Sequence, residues 1–462
     1  MSNAPVSAAD CFHRGVALLG QNRLAEAEQA FHAALERVPN LVEAHLNLGW
    51  IMSRTGRRAE AEAAYRRACA LDPLRMQTHL NLATLMLEQK RFADAEYYSR
   101  HACAIDPRAP SALSSLGLLL AYTRREQEAE ACYRAALAAD PAHAKARFNL
   151  AYLLLRQGHY EEGWQCMEAR EISPHLQVAF GFPRWQGEAL QGKSVLIACE
   201  AGYGDMIQFS RYAELLGERG AARVGILCYP PLKELFAGLR GVHEVVGLDA
   251  ALPLAGWDCW TLPLSLPFLF GTRLDTVPAR LPYLHAEPAR SAYWADALGD
   301  GRALRVGLVW KGNPAHDNDR DRSLPSLAAL APLAEVPDLR FFSLQKGGGE
   351  DEAAPGAQPF AIEDLAPRIH DFGDTAAIVA NLDLVVTVDT AVAHLAGALG
   401  KPCWVLLPYY MTDWRWMTAR ADTPWYPHVM RLFRQKTDGD WAPALAELKA
   451  ALAAWRAESV AR

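Results

Sequence analysis

The residues best suited to chemistry lie in the second half of the chain. Val385-Val-Thr-Val-Asp389-Thr390-Ala391-Val-Ala-His394 reads as a buried strand running straight into a helix. Amides at such a helix start face any anion placed there and the helix dipole favours it, so a diphosphate suits the position. Asp389 can accept hydrogen bonds from sugar hydroxyls or serve as a helix N-cap. His394, one turn in, suits either contact with phosphate or a satisfied place in the core. Lys311 follows another strand end, where it can neutralise charge on a departing phosphate or stand as a solvated loop lysine. In Gly202-Tyr-Gly204-Asp205 the glycines permit a tight turn and close backbone approach, and Asp205 is an N-cap or a general base. The segment is neither GxGxxG nor a P-loop. Asp317-Asn-Asp319 and Asp319-Arg-Asp321 overlap as DxD triplets, a pattern that can hold a divalent ion against a diphosphate. They sit in a run of alternating charge that favours a solvated loop, so no metal site is expected.

These residues require strands that end beside one another. Lys193 to Cys199 and Val224 to Cys228 are apolar runs of buried-strand type, followed by helical stretches at 206–219 and 233–239. A second set begins at Arg305 to Trp310 and continues with strands at 340–344, 384–388 and 401–407. Helices at 326–333, 376–381 and 390–399 separate them, and one at 441–455 closes the chain. Strands alternating with helices predict parallel sheets covered on both faces, hence two α/β lobes in tandem. Ligands bind at the carboxyl ends of such strands, where Asp389, Lys311 and Asp205 stand. Trp414, Arg415, Trp416, Trp425 and Arg434 crowd the end of the second lobe, suited to stacking on a base or to packing.

The first third is built differently. Pro39, Pro73, Pro107 and Pro141 recur every 34 residues, the tetratricopeptide period. Alanines stand 12 and 5 residues before each proline. A ring stands 8 before three of them (Phe31, Tyr65, Tyr133), with Ser99 the exception. Glycine stands 24 before (Gly15, Gly49, Gly117), with Ala83 in the third repeat. Small residues let paired helices approach, the ring plugs the gap, and proline stops the second helix. Four full repeats and a partial fifth, ending near Tyr160 and Trp164, predict an α-solenoid. Asn47, Asn81, Ser115 and Asn149 occupy one repeated place on the first helices. Their amides suit holding an extended peptide backbone, or satisfying neighbouring backbone groups within the array.

With 462 residues, 51% hydrophobic and 22% charged, the chain is ample for about three domains, and a disordered or collagenous protein is excluded. Its net charge of -6 argues against a protein that grips nucleic acid. Nine scattered cysteines form no CxxC and predict neither zinc nor a disulfide framework. With no signal peptide and no apolar run near the ~20 residues of a membrane span, a cytoplasmic location is expected. Twelve of the thirteen tryptophans follow residue 160.

The run LDLVVTVDTAVAHLAGALGKPCWVLLP (Leu382 to Pro408), with Trp310-Lys311 and Gly204-Asp205, resembles the heptosyltransferase-like glycosyltransferase family 9. The asparagine positions resemble the asparagine ladder of O-GlcNAc transferase repeats. The resemblance implies an N-terminal tetratricopeptide α-solenoid followed by a GT-B pair of Rossmann-like lobes. Repeats then occupy 8–170, a connector 171–192, the N-terminal lobe 193–300, the donor-binding lobe 301–436 and a final helix 437–462. It implies metal-independent, inverting transfer from a nucleoside-diphosphate sugar, which is a substrate, so no cofactor is expected. Asp205 takes the role of base and Lys311 that of leaving-group cation. Asp389, Thr390, Ala391 (usually Gly in the family), His394 and Gly204 fall to donor binding. Asn47, Asn81 and Asn149 fall to a peptide or protein acceptor. The alternative is a non-catalytic repeat scaffold whose degenerate GT-B domain binds partners only.

Overall fold

The structure is a computed structural model, and it describes residues 6–172, 180–251 and 255–460. The middle of the expected connector and residues 252–254 therefore lie outside the described residues. The chain divides into two compact units, Met1–Leu153 and Leu154–Arg462.

The first unit consists of helix hairpins. Ala8–Gly20 pairs with Leu24–Arg37, Val42–Arg54 with Arg58–Leu71, Met76–Glu88 with Phe92–Ile105, and Pro110–Tyr122 with Glu126–Ala139. Each second helix stops two residues before its proline. The alanines of the period are fully buried in the hairpin seams, as Ala27, Ala34, Ala61 and Ala68 show. A β-carbon on Gly15, Gly49 or Gly117 would lie 2.6, 2.6 or 2.7 Å from the ring of Phe31, Tyr65 or Tyr133. Glycine is therefore set by the ring it faces, and Ala83 stands opposite the one repeat that has Ser99 in place of a ring. Two polar ladders repeat with the same period. His45 and His79 bond the carbonyls of Pro39 and Pro73 at 2.9 and 2.8 Å, and Arg147 does the same to Pro141. Arg57, Arg91 and Arg125 reach back to Glu28, Glu62 and Glu96 of the preceding repeat at 2.6–2.7 Å.

The second unit holds two parallel sheets. The first contains β1 (Ser194–Ile197), β2 (Arg223–Cys228), β3 (Glu244–Gly247) and β4 (Cys259–Thr261), in the order β3-β2-β1-β4. The second contains β5 (Leu304–Val309), β6 (Leu339–Ser343), β7 (Glu363–Asp364), β8 (Leu384–Val388), β9 (Cys403–Leu407) and β10 (Met430–Arg434). Its order is β10-β9-β8-β5-β6-β7. All pairings between these strands are parallel. A helical array followed by two such lobes is the α plus α/β architecture of a tetratricopeptide solenoid joined to a GT-B pair.

Several elements are shorter than their sequence pattern predicts. The helix expected over 206–219 is two helices, Tyr203–Phe209 and Tyr212–Glu218, bent at Ser210 and Arg211. The stretch 327–335 winds as a 3₁₀ turn because Pro332 inside it removes an amide donor. The helix expected over 233–239 spans only Lys233–Phe236. The closing helix, Ala442–Val460, lays Ala444, Leu448 and Leu452 into the core under the second sheet, with Trp455 packed against it. Among the described residues no helix is long and apolar enough to cross a membrane.

Candidate functional site

In an open parallel sheet the strand order reverses at one point, and the loops there diverge to leave a crevice. In the second sheet that point lies between β5 and β8, whose register pairs Val306 with Leu384 through Val309 with Thr387. Trp310-Lys311 leaves the carboxyl end of β5 and Asp389-Thr390 leaves that of β8. Residues about 80 positions apart in sequence are thus neighbours across the crevice because their strands are hydrogen-bonded.

Thr390 is the N-cap of the helix Ala391–Ala398, and its side chain makes no capping bond. Its hydroxyl turns instead to Thr387 Oγ1 at 3.0 Å. The first amides of this helix, at the carboxyl end of β8, are therefore left without a capping bond from Thr390. Asp389 is partly buried, and burial, reinforced by Asp413, pushes its carboxyl up to about 6, with Arg322 and Arg415 pulling the other way.

Arg322 was not singled out by sequence. Its guanidinium lies against Gly312, where a β-carbon would come within 2.7 Å of it. It is paired with Asp319 at 3.3 Å and mostly shielded from solvent. The same Asp319 accepts from Ser323 Oγ at 3.1 Å, while Asn318 Nδ2 donates to the Met411 carbonyl at 3.0 Å. The DxD segment thus folds its own loop and presents Arg322. Among the described residues no group of three or more His, Cys, Asp or Glu is arranged to hold a metal ion.

Lys311 Nζ meets Glu352 Oε1 at 2.5 Å, and Glu352 Oε2 also accepts from the Leu327 amide. The loop carrying Lys311 is held by Gln345, a fully buried side chain that sequence reading passed over. Gln345 Oε1 accepts from the amides of Trp310 and Lys311, both at 2.9 Å, and its Nε2 donates to the carbonyls of Lys311 and Gly348 at 3.0 and 2.9 Å. One amide group ties the loops after β5 and β6 together.

His394 is buried, stacked on Trp416 at 5.3 Å, and its Nδ1 bonds Tyr426 Oη at 3.0 Å. Burial, with Arg415 and Arg211 adding repulsion, moves its pKa well below the usual value. Gly204 lies over it: a β-carbon there would be 2.7 Å from His394 Cδ2 and 3.5 Å from Ala391 Cα. The glycine is what lets the first lobe's helix Tyr203–Phe209 touch the helix of Ala391 and His394.

Asp205 has both oxygens engaged. Oδ2 accepts the Gly202 amide at 2.8 Å, closing the helix start, and Oδ1 takes the guanidinium of Arg415. Arg415 is buried between the rings of Trp414 and Phe209, and also binds Asp413 at 3.0 Å and Gln208 at 2.5 Å. Trp164 packs edge-on against Trp414 at 5.1 Å, and Tyr160 Oη accepts from Trp425 Nε1 at 3.1 Å. Trp414, Trp416 and Trp425 are all at most 1% exposed, so these rings form packing between the lobes rather than an open stacking surface. The first sheet has its own reversal between β1 and β4. There Arg170 binds Glu200 at 2.6 Å, and Arg170 and Arg184 each donate to Ser265 Oγ at 2.7 Å.

In the first unit Asn47, Asn81 and Asn149 are partly exposed, as is Ser115. Asn81 Oδ1 accepts from Gln77 at 2.8 Å, while Asn149 Nδ2 is buried without a partner. One turn on, Trp50 and Tyr152 are each 41% exposed.

Sequence models of tetratricopeptide repeats match residues 12–74, 53–110, 110–143 and 132–165. The model of glycosyltransferase family 9 (heptosyltransferase) matches residues 344–409. The chain carries tetratricopeptide repeats and a glycosyltransferase family 9 domain. The family 9 match includes Asp389, Thr390, Ala391 and His394, whereas Lys311, Gly204 and Asp205 lie outside it. Protein FlbA of Caulobacter vibrioides is 30% identical over 323 residues, 64% of this chain and 52% of that protein. The chain thus spans about half the length of that relative. Among solved structures, Pseudomonas aeruginosa pilF matches 35% of this chain and 74% of its own, at 21% identity and a TM-score of 0.33. A thermophilic tetratricopeptide protein of Thermus thermophilus, TTC0263, matches 36% and 92%, at 23% and 0.33.

Proposed function

We propose that the family 9 domain transfers a sugar from a nucleoside diphosphate to an acceptor, with inversion and without a metal ion, in the cytoplasm. The observation that carries this reading is the crevice between β5 and β8. At the carboxyl ends of these paired strands stand an uncapped helix N-terminus at Thr390–Ala391, the partly buried Asp389 with Arg322 acting on it, and Lys311. Amide dipoles and fixed cations suit a departing diphosphate, and a carboxylate suits sugar hydroxyls. In the transfer, the acceptor hydroxyl loses its proton to Asp205 and its oxygen bonds the anomeric carbon. The bond from that carbon to phosphate oxygen breaks, and the nucleoside diphosphate leaves with the electron pair. His394, enclosed on that same helix, packs it against Trp416 and Tyr426. The asparagines of the repeats, with Trp50 and Tyr152 beside them, suit an extended peptide, so we assign the acceptor to protein.

A second reading has an observation of its own. Asp205, Lys311 and His394 are each engaged by a partner within the chain, as expected of a degenerate domain that only binds partners. A thermal-shift panel of ADP, UDP, GDP and CDP with their sugar conjugates separates the two. Stabilisation by one nucleotide, lost in Asp389→Ala while that variant stays folded, supports transfer. No shift with any member supports the scaffold.

A further inference from the structure

We infer that Arg415 is an exchangeable cation, which holds Asp205 in the ligand-free protein and moves to the diphosphate when a donor binds, thereby releasing Asp205 to act as base. The inference rests on the donor site proposed above.

The geometry that carries it is the crowding of carboxylates around one guanidinium. Arg415 binds Asp205 on the first lobe's helix and Asp413 on its own loop, and it lies close enough to Asp389 to favour that carboxylate. Gln208 Oε1 holds its Nε, and the faces of Trp414 and Phe209 cover it at 4.4 and 5.5 Å. The neighbour of Asp205, Gly204, lies against Ala391, so this cluster borders the helix N-terminus where the diphosphate would sit. An anion entering there meets Asp205, Asp389 and Asp413 together. Attraction to Arg322 and Lys311 is offset by those charges unless a further cation turns to the ligand. Arg415 is the cation already at hand, and its planar fork pairs as well with phosphate as with carboxylate. Asp205 Oδ1, once the guanidinium has left it, is free to accept a hydrogen bond from an acceptor hydroxyl. Base and leaving-group stabiliser would thus be armed by one movement, and only after donor has bound. An acceptor arriving first would meet an Asp205 already engaged.

The test is the affinity of the full chain for whichever diphosphate of the panel binds, measured by calorimetry on the wild type, Asp205→Asn and Arg415→Lys. The amide oxygen of the Asp205→Asn variant can still accept the Gly202 amide, so the helix start is kept. The exchange predicts that Asp205→Asn binds the diphosphate at least threefold tighter, because the competing partner is gone. Arg415→Lys should bind it at least fivefold more weakly. If the wild type binds but Asp205→Asn binds equally or less tightly, Arg415 is a fixed structural clasp and the exchange is wrong. If neither protein binds any diphosphate, the donor site itself is wrong and the exchange falls with it.

Discussion

Asp389 gives a prediction whose size follows from its surroundings. Burial and the nearby Asp413 raise its carboxyl from an ordinary 3.8 to about 6, so the folded state disfavours the charge that neutral pH imposes. The native form therefore binds more protons than the unfolded chain between about pH 4 and pH 6, and stability falls as pH rises through that window. At ~1.36 kcal/mol per tenfold, the full cost above pH 6 is about 3 kcal/mol, against about 1 kcal/mol at pH 4.5. Asp389→Asn removes the charge and keeps the shape. It should stabilise the second unit by about 3 kcal/mol at pH 8, with the gain shrinking by about 2 kcal/mol at pH 4.5. Urea denaturation followed by tryptophan fluorescence is the assay, because twelve of the thirteen tryptophans follow residue 160 and report on this unit. A gain independent of pH would place its cause elsewhere than in ionisation. A variant less stable than wild type at pH 8 would refute the reasoning outright. The same variant should lose donor binding, since a functional charge kept at the expense of stability is the pattern expected of a working site.

Further expectations follow from close packing. Gly204→Ala places a β-carbon 2.7 Å from the His394 ring, which is stacked on Trp416. Overpacking should cost roughly 1–3 kcal/mol in urea denaturation and weaken any diphosphate bound at Ala391. A neutral result would mean that the lobes shift apart freely. In the repeats, Gly49→Ala should destabilise by a similar ~1–3 kcal/mol, because Tyr65 lies 2.6 Å from the new carbon. Adding Tyr65→Ser to it reproduces the Ala83 and Ser99 pair of the third repeat. The double variant should therefore cost less than the sum of the two single ones in thermal denaturation, and strict additivity would sink the explanation.

The repeat array was largely legible because its determinants are local and periodic. Glycine, ring and proline recur in one hairpin, and even the departures explain each other: Ala83 and Ser99 are one exception, seen twice. The positions of Lys311 and Asp389 were legible for a different reason. Each stands just past an apolar run, and parallel strands bring such ends to one edge. Short pieces were not. β4 has three residues and β7 two, too few to show a pattern, and Arg211 at the bend between the two helices is tied to the Pro278 and Trp425 carbonyls far along the chain. Nor was Gln345 visible, because a buried glutamine that satisfies two loops looks in sequence like any polar loop residue.

The charge cluster shows where sequence reading must stop. Asp205 and Arg415 are 210 positions apart, and neither stands in a pattern that names the other. A helix-start aspartate and an arginine between tryptophans each have a sufficient local explanation, capping for one and packing for the other. Both explanations are correct in the structure, since Asp205 does accept the Gly202 amide and Arg415 does lie on Trp414. The ion pair is added by the second oxygen and by the remaining donors of the guanidinium. A side chain with several bonding atoms can satisfy a local rule with one and make a distant contact with another. The local reading is therefore no evidence against a second role, and for Asp205 the helix cap and the ion pair are carried by different oxygens of one carboxylate.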